Sequence, residues 1–153
     1  KLDLAFLMGP VSEFSVENVP LPSFDLHWYR SVSNPQTDLS VVPVISYARM
    51  TRPYRELMSE LSRRIGPSVR VFASASLSAS LKMIAAGIAV GPYPRALARD
   101  FLKSEQIVEF DAGFRPQPLQ FTASYLSEPR SFLVENSAGI AQSVALNWDK
   151  SQP

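Results

Sequence analysis

The stretch "SASLSASLKMIAAGIAVGPYPRALARDFL", Ser74 to Leu102, decides the fold. Ser76 is a good helix cap, and the apolar positions behind it predict a helix to about Ala86. Gly87 suits the left-handed position that follows a helix end. Ile88 to Gly91 then reads as a short strand, and Pro94 opens another helix through about Lys103. Helix, strand and helix in close succession is the rhythm of an α/β fold.

Working outward, the same rhythm continues on both sides. Upstream, Thr51 caps a helix with Pro53 in its first turn and Gly66-Pro67 at its end. Tyr54, Leu57, Met58, Leu61 and Ile65 form its apolar stripe, opposite Arg55, Glu56, Glu60 and Arg63. Strands are expected at Leu2–Met8, as a run buried on both faces, and at Phe24–Val32, Val41–Tyr47 and Val69–Ala73. Phe14 to Pro22 reads as extended but not central, because of its two prolines. Downstream, strands are expected at Ile107–Asp111 and Leu119–Leu126. A last helix spans Ser131 to Asn147, with Val134, Ala138, Ala141, Ala145 and Trp148 on one stripe. The alternation predicts a largely parallel sheet with covered faces.

The 153 residues are enough for one domain or two small lobes, and 46% of them are apolar. No apolar run reaches the roughly 18 residues needed to span a bilayer. The chain opens abruptly on a core-like strand, which is the reading of a fragment whose natural start lies elsewhere. With no cysteine, thiolate metal sites, cysteine nucleophiles and disulfide scaffolds are excluded; a reducing compartment is compatible with this. A net charge of +1 with no cluster of Lys and Arg argues against nucleic-acid binding by this segment.

Catalytic constellations are missing too. His27, the one histidine, has no carboxylate or cysteine at metal-ligand spacing, and no Gly-x-Ser-x-Gly elbow accompanies the serines. Gly87 and Gly91 end a helix and enter a strand, the reverse of a phosphate loop. An enzyme is not expected, nor a metal or cofactor. Small-ligand capture remains. In open α/β sheets ligands lie beyond the carboxyl ends of strands, against helix N-termini. Two places fit: Ser74, Ser76 and Ser78 before one helix, and Ser46-Tyr47 through Tyr54 with Arg49, Arg52 and Arg55. Caps and solvated arginines would account for either group equally well.

The order of pieces resembles the effector-binding domain of LysR-type transcriptional regulators over nearly the whole chain. "LDLAFLMG" is similar to that family's Gly-x-(Leu/Ile)-Asp-hydrophobic strand. "LHWYRSVSNPQTDLSVVPVISY" is similar to its strand, His-Pro turn, Asp-Leu and strand, with Asn34 in place of the histidine and Asp38-Leu39 matching. "SASLSASLKMIAAGIAVGPYP" resembles its serine-capped helix and Val-Ala-Ala-Gly-x-Gly-Ile-Ala-x-x-Pro signature. Ile84 to Gly87 and Pro94 match, whereas Ala89 replaces the second glycine and Gly91-Pro92-Tyr93 an aliphatic stretch.

The resemblance implies two Rossmann-like lobes joined by crossing strands, similar to periplasmic solute-binding proteins, with the first lobe incomplete here. Residues 1–20 and 112–153 would belong to regulatory subdomain I and residues 21–111 to subdomain II. A small-molecule effector would lie between lobes, at positions matching Met8 on a crossing strand, Ser46, Tyr47, Pro53, Tyr54 and Ser76. Tyr93 marks this chain's departure from the pattern, and Arg52 or Arg49 would stand in for an acid-binding group missing at Met8. Tyr47, Tyr54 and Tyr93 favour an aromatic ligand, so the expected effector is an aromatic or carboxylic acid. The resemblance further implies a cytoplasmic homodimer or homotetramer that uses the helix from Pro53 to Ile65. DNA would be bound only through an N-terminal domain outside this chain. The alternative is a solute-binding receptor of a transport system with the same fold.

Overall fold

The computed structural model describes residues 2–150; Lys1 and residues 151–153, the ends of the expected first subdomain, lie outside the described residues. In chain order the elements begin with strands β1 (Leu4–Met8), β2 (Val16–Pro20), β3 (Leu26–Ser31) and β4 (Val44–Ser46), then helix α1 (Arg52–Arg64) and strand β5 (Val71–Ala73). They continue with α2 (Leu77–Ala85), β6 (Gly91–Pro94), α3 (Arg95–Lys103), β7 (Ile107–Phe110), β8 (Phe121–Leu126) and α4 (Phe132–Lys150). The chain divides into two compact units, residues 1–24 with 119–153 and residues 25–118, so it passes between them twice. Residues 21–24 thus go with the first unit and 112–118 with the second. The latter segment is held there by Trp28, whose indole N–H donates to Phe114 O at 2.9 Å and whose ring meets the Phe114 ring.

The first unit is a three-stranded sheet in the order β1-β8-β2, antiparallel throughout. Helix α4 covers it with the expected stripe, and Ala123 and Ala138 are fully buried. Gln142 donates to Pro20 O at 2.7 Å, and Phe24 packs edge-on against Phe121 and beside Trp148. Polar groups inside the sheet are satisfied: Thr122 donates to Gly9 O, and Ser124 to Asn18 Oδ1. The expectation that the first strand is buried on both faces fails. β1 is an edge strand, and Phe6, Leu7 and Met8 are exposed. A continuous apolar run does not distinguish a strand covered on both faces from one whose second cover is missing.

The second unit holds β6-β3-β7, antiparallel, and β4-β5, parallel, linked by a parallel bridge between Val44 and Val90. The expected largely parallel sheet is therefore corrected: parallel pairing is confined to β4, β5 and the Val44–Val90 link. The reason is β3, which connects to β4 without a helix, so no crossover forces the two to run together. The strand expected at Ile88–Gly91 lies at Gly91–Pro94, and the one expected over Val41–Tyr47 shrinks to Val44–Ser46. β6 tolerates Pro92 and Pro94 because it pairs along its length with β3 alone.

Leu57 and Leu61 of α1 bury against Trp28, Val44 and Val90 on one face of these strands. Strand alternation turns Tyr29 and Ser31 to the other face, where Ser31 Oγ donates to Ala85 O at 2.9 Å at the end of α2. Gly87 has φ +74°, as its place after α2 requires, and Asn34 Nδ2 donates to its carbonyl at 3.0 Å. Since β4, β5 and β6 run the same way, α1, α2 and α3 all begin at one edge of the unit.

Candidate functional site

At that edge β4 ends in Ser46 and runs into Tyr47. Thr51 caps α1: its hydroxyl donates to Ala48 O at 2.7 Å and accepts from Tyr54 N at 3.4 Å. This folds residues 48–51 into a tight lip. Two tyrosines fasten the lip to β6 in a reciprocal manner. The Tyr47 hydroxyl donates to Pro92 O at 3.1 Å, while the Tyr93 hydroxyl lies 3.5 Å from Ile45 O and from Ser46 O. The rings are 5.4 Å apart. Only glycine fits at position 91, because a Cβ there would lie 2.6 Å from Ile45 O and 2.9 Å from the Tyr93 ring. Burial drives the Tyr47 phenol well above its ordinary value, with Tyr93 adding to the rise. Burial pushes Tyr93 up to about 12 against an opposing hydrogen bond with Ser80. Both phenols are therefore neutral hydrogen-bond donors near neutral pH, not bases.

The expected site residues fall into three groups. Ser46, Tyr47, Pro53 and Tyr54 come together around the lip. Ser46 is fully buried, and its Oγ is the one buried side-chain polar atom among the described residues without a hydrogen-bond partner. Ser76 sits at the same edge, exposed, and caps α2 by accepting from Ala79 N at 3.3 Å. Its neighbours serve one another, since Ser74 Oγ donates to Ser76 O and accepts from Ser76 N. Tyr93 stands behind the lip with no exposed surface, so it shapes the wall as Tyr47's partner and does not face solvent. Met8 closes β1 in the first unit, paired with Phe121. The expectation that it rides a crossing strand is corrected, because the chain crosses at residues 24–25 and 118–119.

Nor is Arg52 a free acid-binding group: its Nε is 2.6 Å from Glu56 Oε1. Arg55 donates to Met50 O, and Arg49 is exposed with no partner among the described residues. A cleft of about 120 Å³ lies beside the lip, between α1 and residues 115–117 and floored by Tyr47 and Pro92. Sequence reasoning missed the contribution of Arg115 to it, for no local pattern connects residue 115 with residues 53–60. It also missed the partner of His27. Glu109 Oε2 lies 3.4 Å from His27 Nδ1, and its other oxygen faces Arg95 at 3.3 Å and the Tyr29 hydroxyl at 3.4 Å. Tyr29 and Glu109 are register partners across β3 and β7, a relation spacing along the chain cannot reveal. Among the described residues no group of three His, Asp or Glu side chains could hold a metal ion, and no helix is long and apolar enough to cross a membrane.

A profile of the family described as "LysR substrate binding domain" matches residues 1–143. Among solved structures, the bromide-bound regulatory domain of HypT from Salmonella typhimurium is similar with a TM-score of 0.76 at 16% identity, covering 93% of this chain and 73% of that one. Full-length LysG from Corynebacterium glutamicum with bound effector Arg aligns with a TM-score of 0.67 at 18% identity, over 94% of this chain and 51% of that one. The regulatory domain of MetR from N. meningitidis, a LysR family regulator, gives TM-scores of 0.65 and 0.66 at 15% identity in two structures, over 92% of this chain and 71% and 69% of those. The chain thus spans about half the length of the full-length regulators that it matches. No curated protein matches it in sequence. At these identities the solved structures speak for the fold, which is the periplasmic-binding-protein-like fold of such regulatory domains. On the strength of the profile, which takes in most of both units, the chain belongs to the LysR substrate binding domain family.

Proposed function

We propose that this chain is the effector-sensing part of a DNA-binding LysR-type regulator, and that its effector is recognised at the carboxyl edge of β4, β5 and β6. The observation that carries the site is the lip itself. Parallel strand ends and helix N-termini converge there, and the buried Ser46 hydroxyl is left without a partner. An unpaired buried hydroxyl costs about 1–3 kcal/mol, and the lip carries that cost beside the helix N-termini. Tyr47, Pro53, Tyr54 and Ser76 form the recognition surface in this reading, with the fully buried Ser46 and Tyr93 behind it. Met8 enters this reading only as an expectation from the resemblance to the family. The two units correspond to regulatory subdomains II (residues 25–118) and I (the rest).

Effector binding acts on the regulator only through different affinity for its alternative arrangements. The domain performs no catalysis in this reading. DNA is contacted through an N-terminal domain outside this chain, and the regulator works in the cytoplasm as a homodimer or homotetramer. The match to a regulator family lends no support to the transport-receptor alternative. A thermal-shift panel of aromatic and carboxylic acids tests the site. At least one acid should raise the melting temperature of the chain, and Ser76→Ala and Tyr54→Ala should weaken that shift. A panel in which every shift survives both substitutions would overturn the assignment.

A further inference from the structure

The cleft beside the lip carries charge of opposite sign on its two walls. Pro53, Glu56 and Glu60 recur at helical spacing along α1 and form one wall; Arg115 stands on the other. Their hydrogen bonding is uneven. Glu60 is saturated, with Arg63 on both carboxylate oxygens and Arg64 on one of them. Glu56 receives Arg52 through Oε1 only, which leaves Oε2 free to accept. Arg115 is exposed and makes no ion pair or hydrogen bond among the described residues. No bridge within 4.0 Å joins it to Glu56. The lining of the cleft therefore includes one unfilled acceptor and one unfilled fork of donors, together with Tyr47 and Pro92.

We infer that this cleft binds a small zwitterion of the α-amino acid class, its carboxylate on Arg115 and its ammonium on Glu56 Oε2. Guanidinium and carboxylate offer matching pairs of donors and acceptors, and an ammonium fits the remaining oxygen of Glu56. A volume of about 120 Å³ suits a ligand the size of glycine or alanine and not one with a long side chain. A simple anion would satisfy Arg115 alone and would meet two carboxylates on the facing wall. A simple amine would leave the guanidinium unanswered. Only a ligand with both charges a few ångströms apart fills both vacancies. The inference rests on the proposed effector reading, because Tyr47 and Pro53 belong to both surfaces.

Two-dimensional ¹H–¹⁵N NMR titration of the chain with L-alanine, propionate and ethylamine separates the possibilities. Alanine should move the amides of Tyr47, Glu56 and Gln117 saturably, and bind at least about tenfold more tightly than either half-ligand. Arg115→Gln should weaken alanine at least about tenfold with the melting temperature unchanged. Glu56→Gln should weaken alanine while binding propionate at least as tightly as before, because one of the two facing carboxylates is gone. Propionate binding as tightly as alanine, or an alanine affinity indifferent to Arg115→Gln, would overturn the zwitterion inference. So would silence toward alanine while an aromatic acid still moves Tyr47, and in that case the effector reading stands. If neither these probes nor any acid of the thermal-shift panel moves Tyr47, both fall together.

Discussion

The two units differ in how completely they bury what they contain. In the second, the largest side chains are sealed: Tyr29, Tyr93, Ile45, Leu61 and Ile84 have essentially no exposed surface. In the first, α4 turns one stripe inward and leaves another outside, with Phe132 81% and Leu133 76% exposed and Ile140 and Val144 also open. The edge strand β1 adds Phe6, 60% exposed. Isolated apolar residues on a surface mean little, but several along one helix side mark a face that is ordinarily covered. The contrast teaches that the candidate site belongs to the self-sufficient unit. The lip, the tyrosine pair and the cleft are all built from residues 25–118, and no group from elsewhere is needed to position them.

Substitutions can break that contrast if it is false. The largest effect is expected from Leu61→Ala, which empties the centre of the α1 packing and should cost about 2–5 kcal/mol of stability by denaturant unfolding. Equal tolerance of Leu61→Ala and of changes on α4 would erase the distinction between units. Gly91→Ala comes next. Its Cβ would collide with backbone at Ile45, so a loss of about 1–3 kcal/mol or more is expected, together with loss of the Tyr47–Pro92 contact. Phe132→Ser is the opposite case. It should leave stability within about 0.5 kcal/mol while lowering self-association in sedimentation. A large destabilisation there would mean that the α4 face is already packed.

The smallest effect is one of pH. Tyr93 in the folded chain is raised from the ordinary tyrosine value near 10 to about 12, and Tyr47 is raised as well. The folded state therefore holds these protons more firmly than the unfolded one. Their contribution is complete below about pH 10 and is lost as pH climbs from there through the folded value. Alkaline unfolding curves should flatten in this window for Tyr93→Phe, and an unchanged curve would contradict the burial of that phenol.

How much of this was legible beforehand varies with the range of the interactions concerned. The start of α1 at Thr51-Pro53, the Ser76 cap and the left-handed Gly87 are local events, written in adjacent residues, and the structure bears them out. The placement of β6 was not legible. Val90 and Ile88 look more strand-like than Gly-Pro-Tyr-Pro, yet it is Gly91–Pro94 that pairs with β3. The site shows the same divide. Ser46, Tyr47 and Tyr54 are close in sequence and were found together. The clasp by Tyr93, the Glu109 partner of His27 and the cleft position of Arg115 depend on contacts across tens of residues. Tyr93 is the instructive case: an unusual residue in a familiar pattern suggested ligand contact, whereas it is a buried support for Tyr47 on the cleft lining.

Hydrogen–deuterium exchange of the chain, with and without whichever acid or amino acid gives the largest thermal shift, tests the central claim most directly. Protection concentrated in peptides covering Ser46–Glu56 and Ser74–Ser80 is the predicted result. Protection absent from both segments, and found instead only on β1 or α4, would contradict the account.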